Sequence, residues 1–345
     1  MTVFGRRRKS TGLDIGSGFI KLVQVDHSGD QPEVTRVGIC PLPATAVVGG
    51  TVTEPFLVAT KVRELVDASG VEPLGLVVSM GSRDVVLRTI TMERMAEEDA
   101  RQVLALEVDR HIPIDPREVV VDLHILDPHG TGPEMDVLLA AASRKLVRER
   151  LALLADAGLD PWVVDVDALA LHNAFRHNHP EVGPGVTALV DLGHDSTTVN
   201  MMMEGRPVLS ETVPFGTRQI REELEYELGF REEEVEAAIL GRVRPVELQP
   251  LVDIGAEDVA AAIRQSSSLV LPMDSGRDLG QVFLSGEGAR ISGMADGLAN
   301  RLGVETRWAN PFERTPVRPG AVDPLDLEEV ASMLQLPLGL GLRCP

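Results

Sequence analysis

Two short turns that each combine glycine with aspartate stand out among the residues that could do chemistry. They lie far apart, at residues 13–18 (LDIGSG) and 189–197 (LVDLGHDST). Glycine lets a backbone approach a ligand closely, and the N–H groups of such a turn form a concavity that binds anions. The carboxylates of Asp14 and Asp191 would repel a phosphate unless a divalent cation lay between them. The two turns together therefore predict a phosphate site with Mg²⁺, although either one alone is also ordinary turn chemistry.

Each turn lies between apolar stretches that are typical of β-strands, so each predicts a β-hairpin. The strand after the first turn covers residues 19–25, and the strand after the second covers residues 198–203. A third glycine turn follows an apolar stretch at residues 281–289 (QVFLSGEGA) and precedes a helix that ends near residue 302. The N-terminus of such a helix presents free N–H groups to an anion. A tight connection without ligand is the alternative interpretation.

The hairpins belong to two longer units. In the first unit the pattern predicts strands at 34–39, 76–80 and 162–166 and helices at 55–68, 143–155 and 168–175, with Ser143 as a helix cap. Residues 84–142 predict a small α+β insertion with strands at 85–92, 119–125 and 135–141 and a helix at 97–110. In the second unit the pattern predicts a strand at 207–213, an acidic helical region at 217–240 and a helix at 256–271. Charges in the acidic region, Arg221 among them, are expected on solvated helix faces.

Composition limits the classes of protein to which the chain can belong. Its 345 residues, 43% of them hydrophobic, suit about two globular domains, and no run of about 18 apolar residues predicts a membrane span. A net charge of −20 and an aromatic content of 3% argue against nucleic acid as a partner. Cys40 and Cys344 predict two reduced thiols. The basic residues 6–9 do not form a secretory signal, so we expect a cytoplasmic protein whose tail is either solvated or touches an anionic membrane surface.

Other candidate chemistry is less specific. His172, His177 and His179 are close in sequence, but their spacing matches neither a helical metal-binding pair nor a zinc finger. The sequence contains neither a Gly-x-Ser-x-Gly nucleophile motif nor a P-loop. Asp165 and Asp167 lie near the predicted crossing between the two units, where a turn or capping role is favoured. The sequence does not identify the residue that would orient an attacking water.

Taken in order, the two acidic turns and the turn Ser285-Gly286-Glu287-Gly288 resemble the phosphate and adenosine motifs of the actin, Hsp70 and sugar-kinase ATPase superfamily. Lys21 follows the first turn at the spacing found in actin. The resemblance implies an α/β, actin-like ATPase fold with two RNase-H-like halves, each a mixed five-stranded sheet with flanking helices. It also implies ATP between the halves, with Mg²⁺ near the two aspartates.

From about residue 11 to 343 the chain resembles one branch of that superfamily, the PilM family of type IV pilus assembly proteins. The resemblance rests on residues 92–98 (MERMAEE), 106–114 (LEVDRHIPI), 121–126 (VDLHIL), 157–170 (AGLDPWVVDVDALA), 284–289 (LSGEGA), 310–312 (NPF) and 338–343 (LGLGLR). It implies a protein held at the inner membrane through partners. Those partners are the N-terminal cytoplasmic tail of a PilN-like inner-membrane protein, in a groove between the insertion and the first unit, and other pilus assembly proteins.

The resemblance also implies domain boundaries and site residues. Residues 1–10 form a flexible basic N-terminus, 11–83 and 143–183 the first half, 84–142 the insertion, and 184–345 the second half with a helical or mixed subdomain at about 214–272. Asp14 and Asp191 are the expected catalytic and magnesium-holding residues. The residues expected to bind the nucleotide are Gly16, Ser17, Gly18, Lys21, Gly193, His194, Asp195, Ser196, Thr197, Gly216, Glu236, Gly286, Glu287, Gly288 and Ala289.

Two departures from the family pattern concern the nucleoside. Glu287 replaces a glycine of the third turn, and the helix around Glu236 lacks the lysine expected one turn later. The favoured function is a nucleotide-switched scaffold with slow ATP hydrolysis at most. The alternatives are a small-molecule kinase, a filament former similar to FtsA and a scaffold that no longer binds nucleotide. An FtsA-like filament former is expected to carry an amphipathic helix after the core, which residues 341–345 do not provide.

Overall fold

Two five-stranded sheets with the same arrangement form the framework of the computed structural model, which describes residues 9–73, 75–81, 84–112, 115–183, 185–270 and 278–343. In each sheet three strands form an antiparallel meander, and two further strands run parallel to its first strand. This confirms the predicted α/β fold with two mixed five-stranded sheets. The first eight residues and Cys344 lie outside the described residues, so a flexible tail over residues 1–8 stays a prediction. Lys9 and Ser10, which were predicted as part of that tail, instead belong to the first β-strand.

The strands, in chain order, are β1 (Lys9–Ile15), β2 (Phe19–Asp26), β3 (Glu33–Pro41), β4 (Val47–Val48), β5 (Thr51–Val52), β6 (Leu76–Met80), β7 (Val85–Glu93), β8 (Val119–Ile125), β9 (Glu134–Ser143), β10 (Val163–Val166), β11 (Val186–Leu192), β12 (Thr197–Met203), β13 (Arg206–Val213), β14 (Leu279–Ser285) and β15 (Glu305–Trp308). The helices are α1 (Pro55–Ser69), α2 (Glu97–His111), α3 (Arg144–Asp156), α4 (Asp167–Asn178), α5 (Thr217–Glu222), α6 (Glu232–Ile239), α7 (Leu248–Val270), α8 (Met294–Leu302), α9 (Leu327–Val330) and α10 (Gln335–Gly341). Within the described ranges, no helix is both long and apolar enough to cross a membrane.

Helices cover both faces of the first sheet, whose order is β10-β6-β1-β2-β3. Helices α1 and α3 pack on one face through Val58 and Leu154. Helices α4 and α10 cover the other face, where Leu171 and Leu340 share a core with Leu189 of the second sheet. The second sheet has the order β13-β12-β11-β14-β15, and α7 and α8 pack against its other face. The two sheets are thus joined through α4 and α10, and the β1–β2 and β11–β12 turns face one cleft.

A three-stranded antiparallel sheet lies between β6 and α3 in the chain. Its order is β7-β9-β8, and α2 packs on it through Ala100 and Leu104, which share a core with Leu139. Its edge strand β7 also contacts β13, the edge strand of the second sheet. This part of the chain, predicted as an α+β insertion, therefore touches both large units.

The helix predicted at residues 256–271 begins earlier than expected, at Leu248. Pro250 lies in its first turn, where a missing N–H removes no helical hydrogen bond. Gly255 lies within the helix because of packing, since a Cβ there would lie 1.9 Å from Phe215 Cζ. Proline and glycine usually interrupt helices, and the sequence prediction began this helix only after both residues, at about Ala256.

Three other predicted features differ. The acidic helical region is divided into α5, a π-helical turn at Glu223–Glu227 and α6, because the chain turns at Gly229, which has φ +72°. Ser143 precedes α3, but its side chain makes no capping hydrogen bond. After Gly286 the chain forms a 3-10 turn at Glu287–Arg290, and α8 begins only at Met294. The third glycine turn therefore does not lead directly into a long helix.

Candidate functional site

A cleft of about 450 Å³ lies between the two large units, within the size range of small-molecule sites. Both acidic turns border it. Its lining comprises Asp14, Ile15, Gly16, Ser17, Gly18, Phe19, Lys21, Val47, Gly49, Gly50, Ser79, Gly81, Asp84, Arg150, Asp167, Asp191, Gly193, His194, Asp195, Ser196, Thr198, Thr212, Pro214, Gly286, Glu287, Met333 and Leu336. The tertiary structure thus brings together most of the residues that the sequence predicted for a nucleotide site.

Asp14 and Lys21 form an ion pair at the floor of this cleft. They are antiparallel partners on β1 and β2, and Lys21 Nζ lies 2.6 Å from Asp14 Oδ2. Burial by itself lowers the pKa of Lys21, but the carboxylates of Asp14 and Asp191 outweigh burial and raise it. The ammonium group therefore stays protonated and available to a phosphate oxygen.

Asp191 occupies the same place in the second hairpin as Asp14 does in the first. It lies beside Ser285 of β14, whose Oγ donates a hydrogen bond of 2.8 Å to Asp191 Oδ1. Burial raises the pKa of Asp191, the nearby Asp14 carboxylate adds to that rise, and the charge of Lys21 and the Ser285 hydrogen bond oppose it. A cation placed between the two carboxylates would relieve their repulsion.

Asp167 is a third acid in the cleft, at the first position of α4. Burial and the charge of Asp14 raise its pKa to about 7, against the opposing effects of a Ser79 hydrogen bond and the Arg150 guanidinium. Asp165, two residues earlier, is structural: it accepts the Val166 N–H and lies 3.2 Å from Arg343 Nε. The turn or capping interpretation therefore suits Asp165, whereas Asp167 faces the cleft.

The acidic lining has the chemistry of a magnesium site. Carboxylates of Asp14, Asp84, Asp167 and Asp191 border one cleft, and Mg²⁺ prefers oxygen ligands. Among the described residues, however, no three such side chains are close enough together to ligate an ion directly. Asp14 and Asp191 would hold such an ion through water, and the ion would offset their charge toward a phosphate.

The turns approach one another so closely that glycine is required. A Cβ on Gly18 would lie 2.6 Å from Cγ of the His194 ring. Gly286 has φ +89°, and a Cβ there would lie 2.5 Å from the Leu192 carbonyl oxygen. The N–H groups of Gly16 and Gly193 close their own hairpins by donating to Phe19 and Ser196 carbonyls. These two amides are therefore already engaged within the hairpins.

Five of the expected nucleotide-binding residues lie outside the cleft lining, and all of them except Glu236 are buried behind the turns. Thr197 is buried and donates to the Phe215 carbonyl at 2.7 Å. Gly216 packs against the His194 carbonyl, with 2.3 Å between that oxygen and a built Cβ. Gly288 and Ala289 are buried in the 3-10 turn. These residues support the turns from behind.

Glu287 is buried and fully paired. Its Oε1 lies 2.7 Å from a guanidinium nitrogen of Arg221, and its Oε2 lies 3.3 Å from His194 Nδ1. Burial alone would raise the pKa of Glu287, but the His194 hydrogen bond and the charge of Arg221 lower it to about 2. Arg221 also binds Glu236 at 2.7 Å, and only 16% of its side chain is exposed. The expectation that Arg221 decorates a solvated face is therefore wrong, because helix α5 packs beside the third glycine turn.

A second cavity, of about 550 Å³, adjoins the cleft. Its lining comprises Gly18, Phe19, Pro41, Leu42, His194, Arg221, Glu232, Glu233, Glu236 and Arg242. Glu236, which the resemblance assigned to the nucleoside, lies here rather than in the cleft. Gly18, Phe19 and His194 border both spaces.

The β4–β5 hairpin closes one side of the cleft. The Gly49 N–H at its tip donates to Asp195 Oδ2 at 2.8 Å. Arg218 pairs with Asp195 at 2.7 Å and donates to the Ala44 carbonyl at 3.1 Å. No sequence motif indicated this contact, because neither the hairpin nor Arg218 carries a recognisable pattern.

His172 and His179, two of the three histidines near residue 175, make contacts with other residues inside the protein. His179 Nε2 lies 3.1 Å from the Asn310 carbonyl, and its ring stacks near Phe175 and Phe283. His172 Nδ1 lies 3.3 Å from Met202 Sδ, and burial lowers the pKa of His172 to about 4. These contacts explain the two side chains without a metal.

Comparisons with known proteins agree with this geometry. A family model described as type IV pilus assembly protein PilM matches residues 12–344. The solved PilM-PilN type IV pilus biogenesis complex is similar with a TM-score of 0.82 at 25% identity, over 98% of this chain and 99% of that chain. Ethanolamine utilization protein EutJ from Carboxydothermus hydrogenoformans is similar with a TM-score of 0.56 at 17% identity, over 97% of this chain and 89% of that chain. MreB 5 of Spiroplasma citri bound to AMPPNP is similar with a TM-score of 0.54 at 10% identity, over 97% of this chain and 95% of that chain. These likenesses confirm the predicted actin-like fold.

Proposed function

Because the chain belongs to the PilM family of type IV pilus assembly proteins, we propose that it is a nucleotide-switched scaffold for pilus assembly. In this proposal it binds ATP and Mg²⁺ between its two large units and recruits the N-terminal cytoplasmic tail of a PilN-like inner-membrane protein. It is thereby held at the inner membrane. The observation that carries the nucleotide part is the cleft in which Asp14, Lys21 and Asp191 meet between two glycine turns.

Each side chain at the cleft floor has a distinct task. Lys21 binds a phosphate oxygen, for which it is suited because its neighbours keep it charged. Asp14 and Asp191 hold the magnesium ion through water. The bound ATP supplies the phosphates that both units contact. Since Gly16 and Gly193 use their amides within the hairpins, the amides of Ser17, Gly18, His194, Asp195 and Ser196 are the proposed phosphate donors.

Asp167 is the proposed water-orienting residue for slow ATP hydrolysis. It borders the same cleft as Asp14, and a carboxyl group with a pKa of about 7 can accept a proton near neutral pH. Arg150, which also lines the cleft, carries a positive charge that stabilises the ionised carboxylate of Asp167. Slow turnover suits a switch, because the state of the cleft then persists between assembly events.

The path from the cleft to the proposed partner site is short. Gly81 and Asp84 line the cleft, and β7 begins at the next residue, Val85. Strand β7 also contacts β13, whose Thr212 lines the cleft from the other unit. A ligand that draws the units together therefore acts on both edges that hold the insertion. Only a ligand with different affinities for the open and closed states shifts that equilibrium.

The proposed partner groove lies where the insertion meets α3. Arg144, the first residue of α3, donates to the carbonyls of Val119 and Arg117 at 2.7 and 3.2 Å. Beside this junction, Val120 of β8 is 39% exposed and Leu151 of α3 is 38% exposed. Exposed apolar side chains on β8 and α3 suit an apolar stretch of a tail peptide. The similar solved structure is a complex of PilM with PilN, which supports a partner of this kind.

Calorimetric titration with Mg-ATP and with a peptide that copies a PilN-like tail tests the proposal, each alone and in the presence of the other. We expect both to bind and each to change the affinity of the other by the same factor, as linkage requires. Peptide binding without ATP binding would contradict the nucleotide switch and leave a scaffold. ATP binding without peptide binding would contradict the partner and favour a kinase of the same fold.

A further inference from the structure

We infer that the imidazole of His194 is a gate between the cleft and the second cavity, which a nucleoside must displace and an inorganic triphosphate need not. The inference rests on the proposed nucleotide function. It adds the residue that sets the selectivity of the site for a nucleotide over a bare phosphate chain.

His194 lies at the boundary between the two spaces. The cleft of about 450 Å³ and the cavity of about 550 Å³ adjoin one another and share Gly18, Phe19 and His194 as lining. A Cβ on Gly18 would lie 2.6 Å from His194 Cγ and 2.7 Å from its Nδ1. The ring therefore lies directly against the backbone of the first turn. A ligand that extends from the cleft into the second cavity along this boundary would meet the imidazole.

The ring is the part of this boundary that can move most easily. Arg221 and Glu287 form a buried ion pair at 2.7 Å, and separating such a pair leaves an uncompensated buried charge. His194 Nδ1 instead makes two longer contacts, 3.3 Å to Glu287 Oε2 and 3.2 Å to Thr217 Oγ1. Rotating the imidazole leaves the Glu287 carboxylate still paired with Arg221.

The two spaces differ in chemistry in a way that matches the two ends of a nucleotide, its phosphates and its nucleoside. The cleft contains Lys21, Arg150 and the acids that suit Mg²⁺, so it accepts phosphates. The second cavity contains three carboxylates, from Glu232, Glu233 and Glu236, with the guanidinium groups of Arg221 and Arg242, which pair with Glu236 and Glu329. Carboxylates accept hydrogen bonds from hydroxyl and amino groups. The second cavity is therefore suited to the ribose and base.

A gate that must open before a ligand binds weakens apparent affinity by the fraction of molecules in which it is open. A minor conformation commonly amounts to about 0.1–10% of molecules. We therefore expect His194→Ala to bind Mg-ATP at least about tenfold more tightly than the unmodified protein. Affinity for magnesium tripolyphosphate should change by less than about twofold, because that ligand stays in the cleft.

The experiment is calorimetric titration of the full chain with Mg-ATP and with magnesium tripolyphosphate. It compares the unmodified protein, His194→Ala, His194→Ser as a second small substitution, and His177→Ala as a control outside both linings. Urea unfolding shows whether each variant folds. If either His194 variant binds Mg-ATP more tightly but magnesium tripolyphosphate with unchanged affinity, the gate is supported.

The possible failures can be told apart. If both ligands bind the unmodified protein and the His194 variants change neither affinity, or both equally, the gate is wrong and the nucleotide function stands. If neither ligand binds any of the four proteins, the nucleotide function is wrong and the gate falls with it. If His177→Ala bound Mg-ATP more tightly by the same factor as the His194 variants, that result would also contradict the gate.

Discussion

The Gly49 amide donates a hydrogen bond of 2.8 Å to the Asp195 carboxylate, and this bond joins the two large units across the mouth of the cleft. Gly49 lies at the tip of the β4–β5 hairpin, and Asp195 lies in the β11–β12 turn. The guanidinium of Arg218 holds the same carboxylate at 2.7 Å. One side chain thus connects the second acidic turn to a hairpin of the opposite unit, and this connection is available to stabilise a closed cleft.

Asp195→Ala should loosen the hairpin. The substitution removes the acceptor of the Gly49 amide and leaves Arg218 without this carboxylate, so we expect unfolding free energy to fall by about 1–3 kcal/mol. Hydrogen exchange at residues 47–52 should become about tenfold faster. Urea unfolding and exchange measured by mass spectrometry check both effects. Asp30→Ala, on an exposed turn, is the control; equal exchange in the two variants would contradict the prediction.

Asp14→Asn should weaken the binding of Mg-ATP by about 10–100-fold, the usual effect of removing a group that holds a metal through an intervening ligand. The reason is that the amide carries no charge to attract the ion. Titration with ATP in EDTA, which removes the magnesium, is the matched control. Under that condition the variant and the unmodified protein should bind ATP with the same affinity. An unchanged Mg-ATP affinity would show that the acidic turns do not hold the ion.

Asp167→Asn should stabilise the protein in a manner that depends on pH. The folded pKa of about 7 lies above the ordinary 3.8, so the unfolded chain releases this proton first as pH rises. The acid therefore lowers stability progressively from about pH 4 to about pH 7, by a few kcal/mol at most. Urea unfolding should show the variant more stable than the unmodified protein at about pH 8 and equal to it at about pH 4. Asp160→Asn, on the surface, should show no such trend.

Arg221→Ala should destabilise the protein by about 3–5 kcal/mol, because it removes the guanidinium partner of the buried Glu287 carboxylate. Chemical denaturation measures the loss. Replacing both residues, as Arg221→Met with Glu287→Met, should recover most of it, since no unpaired charge is then buried. If Arg221→Ala were as stable as the unmodified protein, solvent would have to reach the Glu287 carboxylate.

Val120→Glu should weaken the binding of a PilN-like tail peptide by about tenfold, because a charge would enter the apolar wall of the proposed groove. Val246→Glu is the matched control, since Val246 is 82% exposed and lies in the other large unit. Fluorescence anisotropy with a labelled peptide compares the two. Equal affinities would place the partner site elsewhere on the surface.

The sequence predicted local elements well where alternation or helical spacing was strong. The strand predicted at residues 76–80 has the bounds of β6, and α1 differs from its prediction by one residue. Errors occurred where packing overrode local preference. At Gly255, contact with the Phe215 ring keeps a glycine inside α7, and no local pattern contains that contact.

At the candidate site, too, the sequence determined the local turns and the tertiary structure decided the contacts between distant residues. The sequence by itself determined the two acidic hairpin turns, because glycine placement and strand alternation act over a few residues. Only the tertiary structure decided which groups meet there: Asp167 joins Asp14 because β10 and β1 flank β6 in one sheet. Likewise, Arg221 reaches Glu287 across 66 positions because α5 packs beside the third turn. Pairings of this kind follow from how sheets and helices stack, and stacking depends on the whole chain at once.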